Sequence, residues 1–112
     1  MTLFDERERA FENLFAHEEG LRFRALARRN QLFGRWAAEQ LGLHGSECQA
    51  YVRSFVDGAV RSESDEVLIE RVRRDLAACD DQVSDERIRS ALVWATTEAM
   101  RQVRTEARAP VT

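Results

Sequence analysis

Apolar residues recur at helical spacing along nearly the whole chain, and strand-like alternation is absent. Over roughly residues 3–19, Phe4, Phe11 and Phe15 fall on one stripe at i, i+7 and i+11. A helix over about 21–41 is predicted from Leu21, Ala25, Leu32, Phe33, Trp36 and Ala37, which share a broad face, and Gly42 stands where a C′ glycine would end it. Leu43, His44 and Gly45 then read as a loop. Ser46, with Gln49 three residues on, predicts a capping box that opens a further helix, whose stripe is Val52, Phe55, Val56 and Ala59. Ser64 predicts the next N-cap, with Asp65 and Glu66 complementing the helix dipole and Val67, Leu68, Val72 and Leu76 on the buried side. Ser84 predicts the last cap, stapled by Val83 and Ile88. From there Ile88, Leu92, Ala95, Ala99 and Val103 continue one stripe, and beyond about residue 108 the tail is expected to fray.

This pattern predicts an all-α protein: a four-helix bundle, one helix long and three shorter, with a mobile, partly helical N-terminal segment. The expected organisation is an appendage over 1–19, the bundle over 20–108 and a tail over 109–112. Its 112 residues suit one domain. The appendage is the odd piece. Asp5→Arg9 is a favourable i,i+4 pair and Glu8→Glu12 a repulsive one, each contributing about 0.2–0.5 kcal/mol, so so short a helix needs a surface to lie on. Gly20 weakens the continuation by about 1 kcal/mol relative to alanine and is a candidate hinge.

Charge sharpens this division. Six acids and two arginines give residues 1–20 a net −4, whereas five arginines against one glutamate give residues 21–41 a net +4. The overall −3 argues against nucleic acid as a partner, since a duplex binder needs a basic surface to displace counterions. All seventeen basic residues are arginine, which reads as codon bias rather than as seventeen phosphate contacts. Cys48 and Cys79 make no secreted-type framework, no signal peptide precedes them, and no apolar run approaches membrane-spanning length, so a cytosolic chain with reduced, packing thiols and no membrane insertion is expected.

Catalytic motifs are missing: there is no Gly-rich phosphate loop, no GxSxG elbow and no HExxH, so the chain reads as a binding protein and not an enzyme. Four tetrahedral ligands are not assembled by His44, Cys48, Cys79, Asp80 and Asp81, nor by the consecutive His17-Glu18-Glu19, and neither a metal nor a cofactor is expected. Arg28, Arg29 and Arg35 beside Trp36 are candidates for holding an adenine nucleotide, guanidinium on phosphate and indole on purine. The competing reading is that these arginines pair with glutamates over the bundle surface. For Phe4, Phe11 and Phe15 two readings stay open on periodicity alone: a lid on this chain's own bundle, or anchors for a partner's groove.

A resemblance bears on that choice. The run FDERERAFENLFAH, carrying Phe4, Asp5, Arg7, Glu8, Phe11, Glu12 and Phe15, followed by ARRNQLFGRWAAEQLG, resembles the zeta subunit family, the ATP synthase inhibitors of alphaproteobacteria. The match is sharp over the first 42 residues and beyond them extends only to helical layout. It implies a four-helix bundle preceded by a mobile segment that enters an interface between the alpha and beta subunits near gamma and blocks hydrolytic rotation. By that resemblance Phe4, Phe11 and Phe15 are anchors, Asp5, Arg7, Glu8 and Glu12 polar contacts, and the protein is cytoplasmic, peripheral on the membrane-bound synthase. At Leu14, where members usually carry lysine, and at Gly20 and Leu26, the chain departs from the pattern. Two alternatives remain: an adenine-nucleotide sensor, or a non-inhibitory accessory subunit of the same complex.

Overall fold

A computed structural model describes residues 19–80 and 82–108, together with residue 9. Four helices follow one another: α1 (Glu19–Leu41), α2 (Gly45–Val60), α3 (Asp65–Ala78) and α4 (Asp85–Arg108). No strand occurs among the described residues, so the all-α, four-helix expectation holds. Two helices are long, α1 with 23 residues and α4 with 24, where one long helix was expected. Helix α4 runs past its buried Ile88–Val103 stripe to Arg108.

Helix ends follow local chemistry at three of the predicted points. Gly42 takes φ +72°, and the N–H groups of Gly42 and Leu43 donate to the carbonyls of Glu39 and Ala38 at 3.1 and 3.0 Å, a Schellman closure that an L side chain would strain. The Ser64 hydroxyl accepts from the Val67 N–H at 3.3 Å, and that of Ser84 from the Arg87 N–H at 3.1 Å. The Ser46 cap is corrected. Helix α2 is capped two residues earlier and begins at Gly45, with His44 as an extended N-cap that makes no side-chain cap bond. Ser46 therefore lies inside the first turn. Gly20 is likewise helical, within the first turn of α1, and not a break in it.

The main core gathers Phe33 and Ala37 of α1, Phe55 of α2, Leu68, Ile69, Val72 and Leu76 of α3, and Ile88, Ala91, Leu92 and Ala95 of α4. A smaller cluster joins Ala25 to Val103, with Leu21, Leu26 and Met100 against them. Helix α1 is the central element, packed along both α2 and α4. Its approach to α2 is set by Gly34, where a Cβ would stand 3.0 Å from the Phe55 ring. Phe33 stacks on Trp36 with centroids 6.1 Å apart and meets Phe55 edge-on at 5.9 Å. Two further expectations fail: Val67 is half-exposed, and Cys79 is exposed. Ile69 takes the inward position instead, since a helix turned by one or two residues presents a neighbouring stripe. Cys79 ends α3 and stands beyond the last core turn. The tail over 109–112 lies outside the described residues.

Candidate functional site

The seven residues expected to engage a partner, Phe4, Asp5, Arg7, Glu8, Phe11, Glu12 and Phe15, lie outside the described residues. What the structure describes is the platform from which that segment departs: the first turns of α1 and the elements against them.

Along α1, residues seven apart return to nearly the same side, so Arg28 and Arg35 share one face while Arg29 and Trp36 share the next. Arg28 turns to α4, donating to Gln102 Oε1 at 2.7 Å and pairing with Glu106 at 2.9 Å. Arg24 reaches the same carboxylate at 2.8 Å. Hydrogen bonds from Arg28 foremost hold Glu106 below the usual carboxylate range. Arg29 turns inward to the α2–α3 junction. Its side chain is 7% exposed and pairs with Asp65 at 2.9 Å. It also donates to Asn30 Oδ1, while Asn30 Nδ2 donates to the Phe55 carbonyl at 2.9 Å. Arg35 is exposed, and one face of the Trp36 ring stacks against Phe33.

The four residues considered for a nucleotide are therefore not brought together. Arg28 and Arg29 serve different neighbours, and the surface-pairing reading holds for Arg28, although its partner is Glu106 of α4 and not a glutamate near α1. Sequence spacing shows which arginines share a face but not which carboxylates the other helices carry to them. Helical registration was the available signal for Glu106, since it lies three residues past the buried Val103 on the same helix.

The α2–α3 pair carries a second polar cluster that sequence reading passed over. Tyr51 donates to Asp75 at 2.8 Å, and Arg71 lies 4.2 Å over the Phe55 ring while donating to the Ser54 hydroxyl. Burial, then the bond to Asp75, keeps the Tyr51 phenol protonated far above its ordinary range. Such an arrangement orients helices and offers no nucleophile. Among the described residues no group of three or more His, Cys, Asp or Glu is placed to hold a metal ion, and no helix is long and apolar enough to cross a membrane.

Comparison with known proteins returns one family. The model for ATPase inhibitor subunit zeta matches residues 1–102, so the likeness extends far past the first 42 residues. Curated proteins and solved structures give no match. With nearly the whole length matched, from the aromatic segment into the last turns of α4, the chain belongs to the ATPase inhibitor subunit zeta family.

Proposed function

We propose that this protein inhibits ATP hydrolysis by the F-type ATP synthase, inserting residues 1–19 at an interface of the alpha, beta and gamma subunits and so blocking hydrolytic rotation. The observation that carries the reading is the Phe4, Phe11 and Phe15 stripe on a segment preceding a bundle whose described core starts only at Ala25. Burying a phenylalanine contributes roughly 1.5–3 kcal/mol. Ordering a backbone residue costs about 1–2 kcal/mol, so three rings alone cannot fix the whole segment. A deep groove on a partner must supply the remaining contacts, which is coupled folding and binding. In this reading Asp5, Arg7, Glu8 and Glu12 supply polar contacts. The bundle is too wide to follow and acts as a plug and second docking surface, peripheral on the synthase at the cytoplasmic face.

Deleting residues 1–19 tests the mechanism. The shortened protein is expected to keep the helical circular-dichroism signal and melting transition of the bundle while losing inhibition of purified F-type ATPase. Inhibition undiminished by the deletion would refute insertion. Phe11→Glu in the full chain is the finer test, and is expected to weaken inhibition at least tenfold, about 1.4 kcal/mol of binding.

A further inference from the structure

Beside the first turns of α1 lies a part-polar cleft that the described residues of the bundle do not fill. It runs between the start of α1 and the end of α2, has a volume of about 320 Å³, and is lined by Arg22, Phe23, Leu26, Ala59, Val60 and Ser62. A second cleft of about 290 Å³ continues it, sharing Arg22, Leu26, Ala59 and Ser62. Two of the four exposed large hydrophobics among the described residues meet here, Phe23 at 47% and Val60 at 66% exposure. Single exposed apolar residues are ordinary, but two flanking one concave patch offer a docking surface with no occupant among the described residues.

We propose that the cleft is the resting place of this chain's own residues 1–18, so that Phe11 and Phe15 lie against Phe23, Leu26 and Val60 until the ATPase takes the segment up. Chain geometry favours this occupant over any other. The segment ends at Glu19, and Phe23 and Leu26 lie only about 6–10 Å further along α1 at 1.5 Å per residue. A reversal of four or five residues, at about 3.3 Å each, spans that distance. The clefts are shallow and part-polar, so the contact is weaker than a partner's groove could make, as an exchangeable store requires. The inference rests on the insertion reading for its purpose but not for its test.

The test uses the full chain free in solution. Cys48→Ser and Cys79→Ser clear the native thiols, Asn13→Cys places a nitroxide label between the two phenylalanines, and amide signals report on the bundle. Ala59 and Val60 are expected to lose most of their intensity, while Glu47 and Gln49 at the far end of α2 keep theirs. Val60→Asp, at an exposed site that leaves the core intact, is expected to restore the Ala59 signal. It should also make inhibition set in faster, since no docked state must open first. Undiminished Ala59 and Val60 signals in the labelled chain would overturn the proposal. So would broadening that survives Val60→Asp, or broadening that appears only between labelled and unlabelled copies, which would assign the cleft to a second molecule. Because the spectral readout involves no ATPase, loss of the insertion reading would leave this result standing, and the reverse.

Discussion

Among the described residues, Arg29 and Asp65 form the one ion pair deep in the bundle, with side chains 7% and 11% exposed. Removing one partner strands the other's charge away from water. Arg29→Met is accordingly expected to cost about 3 kcal/mol, read as a lowered urea midpoint, and a loss under about 1 kcal/mol would show that water reaches the site. Ser62 is a different case. It holds φ +56°, with its N–H and that of Glu63 closing the end of α2 on Ala59 and Gly58, a position usually given to glycine. Ser62→Gly should stabilise by about 1 kcal/mol, the cost of holding an L residue in the left-handed region. Two helical glycines separate packing from propensity. Gly34→Ala drives a methyl into the Phe55 ring and should destabilise by about 1–3 kcal/mol, whereas Gly58→Ala displaces the movable end of Glu63, touches Leu68 at ordinary contact distance, and should be neutral or gain up to about 1 kcal/mol. Thermal melts of both variants read the contrast. From the sequence Gly42 was legible as a helix end because glycine advertises its backbone. Ser62 was not, because serine takes that conformation only when the surrounding turn imposes it.

Helix α4 carries a carboxylate whose titration is set by neighbours on its own surface. Bonds from Arg101, then from Gln102, hold Glu98 at about 2 against an ordinary 4.5. A depressed carboxyl contributes its stabilisation above the unfolded value and loses it as pH falls through the folded one, so the effect fades between about pH 4.5 and 2. Glu98 is partly exposed and Arg101 largely so, which keeps the contribution to stability small. Carboxyl-carbon NMR should show Glu98 titrating near pH 2, and Arg101→Ala should return it toward 4.5, with an unchanged midpoint counting against the contact. Between helices, Arg24 and Arg28 grip Glu106 and hold the start of α1 to the end of α4. This carboxylate is 41% exposed, so Glu106→Gln should cost less than about 1 kcal/mol and matter less in high salt. The elements themselves were readable from hydrophobic period and caps. Their neighbours were not, and that is why Arg28, a candidate for phosphate, instead joins Arg24 in clamping one helix to another.

At the scale of the molecule, α1 has two occupations: its later turns join the main core through Phe33 and Ala37, and its first turns frame a cleft against the end of α2. One sign of this exposure is chemical. Cys79 lies open at the end of α3 and Cys48 is half-buried, so a disulfide-exchange reagent should modify Cys79 markedly faster, with equal rates contradicting the packing of α2. The sequence by itself determined the helices, because a period of 3.6 in apolar residues and serine or glycine at their ends act over a few neighbouring positions. It also carried the family signature, because a signature is a property of residue order. Which stripe faces inward, as with Ile69 in place of Val67, and which carboxylate answers each arginine were decided only by the tertiary structure. Those choices depend on how four helices turn and slide against one another, and the energies that set the turning come from contacts between residues far apart in the chain.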